Sequence, residues 1–421
     1  MAIDPHLFDD LQWRGLLVQS TDRDALRAAL GADAGGIRFY VGFDPTAPSL
    51  HLGHLVQVLT ARRLQQAGHT PYALVGGATG MIGDPKESGE RTLNDLDTVK
   101  AWVDKVRAQI EPFLSFEGHN GATMVNNYDW TASLSTIDFL REVGKHFPVN
   151  RMLARDVVRS RLEAGISYTE FSYVLLQSWD FLNLHRDHGV TLQFGGSDQW
   201  GNLTAGVELI RRSTGGHAHA FATPLVTRAD GTKYGKTESG ALWLDPALMS
   251  PYAFHQFWLN VEDEKVGELL RVFTFLSHEE IEQLEQQTGE KPFLRAGQKA
   301  LADEVTTLVH GAEETAQAKA AAAALFGAGE LRTLSPNTLT AALDEAGARS
   351  APQGADIVEL LVASGLVRSK GEARRTIGEG GAYLNNERVS DPELVPGESD
   401  TIAGWVVLRR GKKHLAGVRL S

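Results

Sequence analysis

Cysteine is absent from this 421-residue chain, so disulfide bonds and thiolate metal sites are excluded. Long apolar runs are absent too: none approaches the roughly 18–20 residues that a membrane-spanning helix needs. The first residues, MAIDPHLFDDLQWRG, are acidic and lack the basic-then-apolar order of a signal peptide. We therefore expect neither membrane insertion nor export, and a cytoplasmic protein fits these absences.

Positive charge is scarce, with 41 Lys and Arg against 53 Asp and Glu and a net charge of −12. This balance argues against indiscriminate binding to nucleic acid. The deficit is uneven, because from Ala355 onward 10 Lys and Arg face 9 Asp and Glu. The stretch 409–421 holds five basic residues and no acidic one. A phosphate-binding end and a merely solvated charged terminus explain this pattern equally well.

The first half of the chain alternates apolar runs with helical spacing. This alternation predicts an α/β fold with a Rossmann-like doubly wound parallel sheet. Ligands of such sheets bind beyond the carboxyl ends of the strands. A helix is expected over 49–67, with Ser49 as its N-cap. The predicted strands cover 37–45, 71–80, 123–130, 190–198 and 221–227.

The second half changes character twice. Helical patterns fill the chain from about Pro251 to Leu325, and a short α/β pattern closes it. Between them, glycine, serine and proline punctuate a stretch with one weak helical signal, which we interpret as a linker. The expected domains are a doubly wound domain over 1–240, an α-helical domain over 241–325, a linker over 326–354 and a small α/β domain over 355–421.

Two histidines follow the first predicted strand, in the sequence HLGH. His51 and His54 are three residues apart and share one face of a helix. Unpaired N–H groups and the helix dipole favour anions in a first turn, and Gly53 lets a ligand approach the backbone. A phosphate is the natural guest. A metal site lacks an evident third ligand, and ordinary surface histidines are the remaining alternative.

A loop with two lysines, KYGKTESG, covers 233–240. Lys233 and Lys236 flank a glycine, and Thr237 follows. Lysines supply point charges for polyphosphate, and small residues let such a loop move. Taken alone, a solvated basic loop is the better interpretation.

Polar side chains also follow predicted strands. Asp44, Asp84 and Asp198 each come after an apolar run. A single aspartate at such a place is usually a cap or turn residue, but three beside two phosphate-type motifs indicate a binding site. One helix face adds a polar stripe at i, i+4 and i+7, formed by Tyr173, Gln177 and Asp180.

Six blocks of sequence together resemble the successive motifs of bacterial tyrosyl-tRNA synthetases, which are class I enzymes. HLGH stands where class I synthetases carry HIGH, and KYGKT stands where they carry KMSKS. A HIGH-type motif alone indicates only the superfamily, whereas its combination with Tyr40, Asp180 and GGSDQWGN indicates the tyrosine enzyme. The blocks are FYVGFDPTAPSLHLGH, ALVGGATGMIGDP, NNYDW, TEFSYVLLQSWDF, LQFGGSDQWGN and KYGKTESG.

The resemblance implies a ligase that activates L-tyrosine with ATP and Mg²⁺, then transfers tyrosine to tRNA(Tyr). It implies that Tyr40 and Asp180 bind the phenolic hydroxyl. The other implied tyrosine ligands are Asp84, Tyr173 and Gln177 at the α-ammonium group, with Gln193 and Gln199 near the carboxylate.

The resemblance also implies an ATP site and a set of catalytic donors. ATP would contact Gly42, Asp44, Gly53, Gly196, Asp198 and Lys236. The implied catalytic residues, which would act on the ATP phosphates and pyrophosphate, are Thr46, His51, His54, Lys233, Lys236 and Thr237. No protein-bound metal and no membrane partner are expected.

The chain end resembles a small RNA-binding domain first described in a ribosomal small-subunit protein. Its helix pair carries Arg368, Lys370, Arg374 and Arg375, and a closing hairpin is expected around Gly411. The resemblance to the synthetases further implies a homodimer formed through an insertion at about 130–190. Val41 and Gln57 depart from common family patterns, and the loop after Asp84, with Lys86, looks shortened.

Three other functions share part of this sequence pattern. A tryptophanyl enzyme shares the fold, but indole has no hydroxyl for Tyr40 and Asp180 to bind. A small-molecule nucleotidyltransferase would not need the helical module and the RNA-binding end. An RNA-binding paralogue without catalysis would be expected to have lost HLGH, KYGKT, Asp84 or Asp198, and all of these are intact.

Overall fold

The computed structural model describes residues 3–32, 35–85, 89, 93–232, 234, 241–326, 329–411 and 414–421. The chain forms two compact units. Unit 1 contains Met1–Asp245 and Gly267–Ile281, and unit 2 contains Pro246–Val266 and Glu282–Ser421. No helix in the described ranges is long and apolar enough to cross a membrane.

Unit 1 is built around a six-stranded sheet. Its strands are β1 (Gln19–Ser20), β2 (Arg38–Phe43), β3 (Thr70–Val75), β4 (Thr123–Asn126), β5 (Val190–Gly196) and β6 (His219–Thr223). They lie in the order β1-β6-β5-β2-β3-β4, and every neighbouring pair is parallel except β1 with β6. The expectation of a doubly wound parallel sheet is confirmed.

The strand order reverses between β2 and β5. From β2 the chain continues through β3 and β4 on one side, and it later places β5 and β6 on the other side. Tyr40 lies opposite Tyr72 of β3 and opposite Gln193 of β5. The apolar residues of β2, Phe39, Val41 and Phe43, are buried. A ligand crevice is expected beyond the carboxyl ends of the strands at such a reversal.

Helices connect the strands of unit 1. The longest begins at Ser167, whose hydroxyl accepts the Glu170 N–H, and ends at Gly189, which has a φ of 64°. A left-handed residue at a helix end suits glycine because it has no Cβ. The helices are α1 (Leu7–Trp13), α2 (Arg23–Leu30), α3 (Leu52–Gln66), α4 (Thr79–Ile82), α5 (Leu96–Ile110), α6 (Tyr128–Thr131), α7 (Thr136–Glu142), α8 (Val149–Leu153), α9 (Asp156–Arg159), α10 (Tyr168–His188) and α11 (Trp200–Thr214).

The expected N-cap of α3 was wrong. His51, not Ser49, caps the helix. The Ser49 hydroxyl donates to the Leu50 carbonyl and lies 3.2 Å from Gln109 Oε1, and it accepts the Asp245 N–H. Its hydrogen-bonding capacity is therefore used by residues distant in sequence, which local spacing does not reveal.

Unit 2 combines helices with a five-stranded sheet. Its strands are β7 (Arg349–Ala351), β8 (Ala382–Leu384), β9 (Glu387–Arg388), β10 (Trp405–Arg410) and β11 (His414–Leu420), in the order β7-β11-β10-β8-β9. The antiparallel pair β10–β11 is the hairpin expected around Gly411. The remaining helices, of which α13 and α14 contain residues of both units, are α12 (Pro251–Leu259), α13 (Asp263–Phe273), α14 (His278–Glu290), α15 (Ala296–His310), α16 (Ala312–Leu325), α17 (Pro336–Glu345), α18 (Ile357–Ala363) and α19 (Lys370–Gly378).

The stretch 326–354 has more regular structure than a linker needs. It contains α17, whose Leu339 and Leu343 are buried with Trp405 and Val407 of β10. It also contains β7, which pairs in parallel with β11. The domain limits given above stay a prediction, because the two units divide the chain along other lines.

Candidate active site

The carboxylate of Asp44 follows β2 at the strand reversal. It accepts the Tyr173 hydroxyl at 2.5 Å and the Thr79 hydroxyl at 2.6 Å. Gly76 makes room for it, because a Cβ at position 76 would lie 2.1 Å from Asp44 Oδ1. Burial first, and then the charge of Asp44, raise the pKa of Tyr173 well above its ordinary value. Tyr173 therefore stays protonated and acts as a donor.

Asp180 is a buried carboxylate on α10. The Asn127 amide donates to its Oδ2 at 3.0 Å, and Trp130 Nε1 donates to its Oδ1 at 2.8 Å. Burial raises the pKa of Asp180 to about 7, although these two donors act in the opposite direction. Sequence reasoning did not single out Asn127 or Trp130, and the only signal for them was the block NNYDW.

Tyr40 lies beside Asp180 and is only 1% exposed. Its hydroxyl donates to the Gln177 main-chain oxygen through a long hydrogen bond of 3.5 Å. Burial raises the pKa of Tyr40 well above its ordinary value, and the charges of Asp180 and Asp44 raise it further. We call Tyr40, Asn127, Trp130 and Asp180 the phenol pocket. It joins a neutral phenol, a buried carboxylate and two N–H donors.

Asp84 follows α4, not a strand, because four helical residues separate it from the end of β3. Gln199 Nε2 donates to its Oδ2 at 2.8 Å, and Asn202 Nδ2 donates to its Oδ1 at 3.1 Å. Asn202 also donates to Gln199 Oε1 at 2.8 Å. The charge of Asp84 contributes to the raised pKa of Tyr173, so these groups share one site. Asn202 was missed because its role depends on tertiary contact.

His51 and His54 form a stacked pair with ring centroids 4.0 Å apart. His51 Nδ1 accepts the Gly53 N–H at 3.1 Å, and His54 Nδ1 accepts the His51 N–H at 3.2 Å. Burial lowers the pKa of both rings, most strongly for His54. Neutral rings that accept at Nδ1 carry their proton at Nε2.

The donors at the start of α3 are therefore not free for an anion, contrary to expectation. The Leu52 N–H donates to the Leu242 carbonyl at 3.0 Å, and the histidine rings use the N–H groups of His51 and Gly53. Any contact of this pair with phosphate has to run through the two Nε2–H groups. The charge of Asp198 raises the pKa of His51, which places that exposed carboxylate near the pair.

The end of β5 supplies three of the expected residues. Gln193 is 2% exposed, and its Oε1 has no hydrogen-bond partner within the described part of the chain. A Cβ at Gly196 would lie 2.6 Å from Asp198 Oδ1, so glycine is needed at this turn.

Gln57, which departs from common family patterns, donates to the Thr223 hydroxyl at 2.7 Å and thereby ties α3 to β6.

The remaining expected residues are either exposed or outside the described part of the chain. Gly42, Thr46 and Gly53 are exposed near the ends of β2 and the start of α3. Lys86, Lys233, Lys236 and Thr237 lie outside the described residues. Among the residues that are described, no cluster of three or more His, Asp or Glu could hold a metal ion.

Comparisons with known proteins give two family matches and close relatives. Residues 33–327 match the family described as tRNA synthetases class I (W and Y), and residues 341–417 match the SYY-like C-terminal domain of tyrosine–tRNA ligases. The chain is 60% identical to the tyrosine–tRNA ligase of Streptomyces coelicolor over 99% of each chain. It is 61% identical to that of Streptomyces griseus over 98% of each chain.

Solved structures give a consistent result. A C-terminally truncated mitochondrial tyrosyl-tRNA synthetase from Aspergillus nidulans superposes with a TM-score of 0.66 and 29% identity. The match covers 74% of this chain and 92% of that one. The tyrosyl-tRNA synthetase of Archaeoglobus fulgidus, at 18% identity and a TM-score of 0.57, shares the fold.

Proposed function

We infer how the pocket works from one premise: the chain belongs to the tyrosyl-tRNA synthetases, within the class I family of tryptophan and tyrosine enzymes. It is an aminoacyl-tRNA synthetase that ligates tyrosine to tRNA, and its family uses ATP. We propose that it first forms tyrosyl-adenylate and pyrophosphate. It then transfers tyrosine to the 3′-terminal adenosine of tRNA(Tyr).

The phenol pocket carries the proposal for substrate choice. The single most informative observation is that a buried carboxylate, Asp180, receives two N–H donors and faces a neutral phenol. An ionised Asp180 accepts a hydrogen bond from the substrate hydroxyl, and Tyr40 adds a second polar contact. Phenylalanine has no hydroxyl to donate, so it would cover the buried carboxylate without adding this hydrogen bond, which costs free energy.

The other end of tyrosine lies at Asp84 in this proposal. Asp84, Tyr173 and Gln177 bind the α-ammonium group. Gln193 and Gln199 orient the carboxylate. The hydrogen bond from Gln199 to Asp84 supports a shared site, because it joins a proposed ligand of the carboxylate to a proposed ligand of the α-ammonium group.

The ATP site completes the proposal. Asp198 and Gly196 hold the ribose, Gly53 makes room for the base, and Gly42 and Asp44 line the junction with tyrosine. Thr46, His51 and His54 bind the phosphates. Lys233, Lys236 and Thr237 remain sequence predictions for closure over pyrophosphate.

The proposed activation step depends mainly on how the reactants are positioned. The tyrosine carboxylate is already ionised, so attack on the α-phosphate needs no strong general base. Catalysis then consists of orienting the reactants and stabilising the charge that develops on phosphate. Neutral histidines that donate from Nε2 suit this task. Mg²⁺ enters with ATP as part of the substrate complex.

Unit 2 supplies the proposed tRNA contacts. The basic residues of α19 and its preceding turn, Arg368, Lys370, Arg374 and Arg375, are exposed. They would position phosphates without reading bases. Deleting 355–421 should spare activation and abolish most charging, but it also uncovers the apolar partners of Trp405 and Val407. Charge reversal of Arg368 and Arg374 tests the same contact in the full chain: charging unchanged by it would contradict the proposal.

A homodimer is proposed through the segment 130–190. Exposed apolar side chains gather there, because Ile137, Val149 and Tyr168 are each at least 60% exposed. Isologous twofold dimers are the commonest oligomers. A single 45.8 kDa species in sedimentation at micromolar concentration would contradict this. A cytoplasmic location, where ATP and tRNA are present, is part of the same proposal.

Tyrosine-dependent exchange of pyrophosphate into ATP tests the activation step. Exchange should require tyrosine, with phenylalanine and tryptophan as controls. Comparable exchange with tryptophan would favour the other branch of the family. Exchange without charging of tRNA(Tyr) would confine the activity to adenylate formation.

A further inference from the structure

Arg155 lies between α8 and α9, in the proposed dimer-forming segment, and reaches α11. Its Nη2 donates to Asn202 Oδ1 at 2.5 Å. The guanidinium lies against Gly201, where a Cβ would come within 3.0 Å of Nη2 and 3.1 Å of Nε. Burial lowers the pKa of Arg155, and the charge of Asp84 opposes that shift. The cation is therefore close enough to the Asp84 carboxylate to interact with its charge, although no sequence motif indicates Arg155.

Donor and acceptor roles are fixed along the chain of hydrogen bonds that begins at Arg155. Arginine can only donate, so Asn202 must present its oxygen to Arg155. The Asn202 nitrogen then faces Asp84 Oδ1 and Gln199 Oε1, and it donates to both. With its oxygen engaged by Asn202, Gln199 presents its nitrogen to Asp84 Oδ2. Asn202 is 1% exposed, so water does not readily replace these partners.

We propose that Arg155 is a positioning residue for the amino-group subsite of tyrosine. It fixes the orientation of the Asn202 amide, and through it the Gln199 amide and both oxygens of the Asp84 carboxylate. Without Arg155 the Asn202 amide can turn over, which places an oxygen against the oxygens of Asp84 and Gln199. This inference rests on the proposed role of Asp84 as the ligand of the α-ammonium group.

The test compares two ligands that differ only at that group. Tyrosine and 3-(4-hydroxyphenyl)propionate, which lacks the amino group, are titrated by calorimetry against the full-length protein. Arg155→Met should weaken tyrosine binding by roughly tenfold, the order expected when one hydrogen bond to a charged carboxylate is lost, and should change binding of the desamino analogue less than about twofold. Arg155→Lys, which retains a donor, should restore part of the loss.

Control variants separate the explanations. Arg159→Ala removes an exposed arginine of α9 that pairs with Asp156, and it should change neither affinity. Asn202→Asp keeps the side-chain size but cannot donate to Asp84 or Gln199, so it should reproduce the selective loss if Arg155→Met folds poorly. Equal weakening of both ligands by Arg155→Met and Asn202→Asp would overturn the inference, as would unchanged tyrosine binding with reduced tRNA charging.

Failure of the underlying site assignment has its own signature. Asp84→Asn should itself lower tyrosine affinity selectively over the desamino analogue. If it does not, Asp84 is not the amino-group ligand and the proposed function fails at this subsite. If Asp84→Asn acts selectively and Arg155→Met does not, only the positioning role of Arg155 is wrong.

Discussion

Burial has opposite consequences in the phenol pocket and in the histidine pair, which both lie in unit 1. Asp180 is buried and, in its proposed role, must be ionised to bind a hydroxyl strongly, yet burial raises its pKa to about 7. His51 and His54 are kept neutral by burial, which lowers the pKa of both. The pocket thus holds a charge that its surroundings disfavour, whereas the pair presents donors without charge.

The two sites are therefore sensitive to different changes in their surroundings. In the proposed function, the affinity of the phenol pocket for a hydroxyl depends on the protonation of the Asp180 carboxylate. The histidine pair depends on geometry, since its Nδ1 atoms are fixed by hydrogen bonds to the backbone. Folding energetics differ as well: ionised Asp180 costs stability as pH rises, while neutral histidines cost stability as pH falls below about 6.5.

Removing a donor from the pair should produce the largest effect. His54→Ala is expected to slow adenylate formation by about 100- to 1,000-fold, or about 2.7–4 kcal/mol, the usual cost of losing one transition-state donor. Tyrosine affinity should stay within about twofold. Single-turnover kinetics and equilibrium dialysis measure the two quantities, and Lys236→Ala should behave alike.

The geometric interpretation of this effect has its own control. His54→Gln retains a side-chain N–H donor and should recover part of the lost rate. An activation rate unchanged in His54→Ala would show that the pair does not act on ATP.

Neutralising Asp180 should produce the next largest effect, on specificity. Asp180→Asn is expected to lower the tyrosine-to-phenylalanine ratio of kcat/KM by roughly ten- to a hundredfold, because a hydrogen bond to a charged acceptor contributes about 1.5–3 kcal/mol. Pyrophosphate exchange with both amino acids measures it. A lower melting temperature with an unchanged ratio would make Asp180 purely structural.

Acidification should act on the phenol pocket in the same direction. Asp180 gains a proton below pH 7, so the tyrosine-to-phenylalanine ratio should fall as pH decreases from 8 to 6, by at most about tenfold per pH unit. Taking the ratio cancels titrations at the ATP site. The ratio of Asp180→Asn should be flat over the same range, and a flat parent profile would remove Asp180 from the role of titrating group.

A smaller effect should follow from removing one donor to Asp180. Trp130→Phe deletes the N–H that donates to Asp180 Oδ1, so the midpoint of the pH profile should move upward by less than about one unit. Trp179→Phe is the matched control, because Trp179 packs in the same apolar cluster and its Nε1 has no hydrogen-bond partner among the described residues. Equal shifts in both variants would point to packing as the cause.

The last expected effect concerns folding and not activity. Folding raises the pKa of Asp180 from about 4 to about 7, so the folded chain binds more protons than the unfolded chain between these values. Stability from this group is therefore lost as pH rises through that window. The melting temperature of Asp180→Asn relative to the parent should rise from pH 5 to pH 8. A constant difference would contradict the raised pKa.

The sequence indicated the central residues of the phenol pocket better than the residues that hydrogen-bond to them. The parallel sheet followed from alternating apolar and helical patterns, and Tyr40 and Asp180 followed from motifs that resemble a known family. Asn127 and Trp130 could not be found by spacing, because their contacts with Asp180 span 53 and 50 residues of sequence. Arg155 and Asn202 were missed for the same reason.

Local rules failed where a distant partner competed. Ser49 is a good N-cap residue, yet its hydroxyl bonds outside the helix and His51 takes the position. In 326–354, glycine and proline mark turns, but they did not reveal that Leu339 and Leu343 join a core with residues more than 60 positions later. Such preferences are set by tertiary packing, which the sequence pattern does not specify.

The hydrogen bonds that make His51 the cap of α3 also narrow the evolutionary choices at this position. A replacement must accept the Gly53 N–H, as serine, threonine, aspartate and asparagine can. To fill the proposed role of His51, it must also extend a donor toward phosphate. The short caps lack that reach, and longer donors such as lysine cannot accept the N–H. Few substitutions of His51 preserve both the cap of α3 and a side-chain donor directed toward phosphate. Natural variation should therefore be much narrower at residue 51 than at the solvent-facing turns of the same helix.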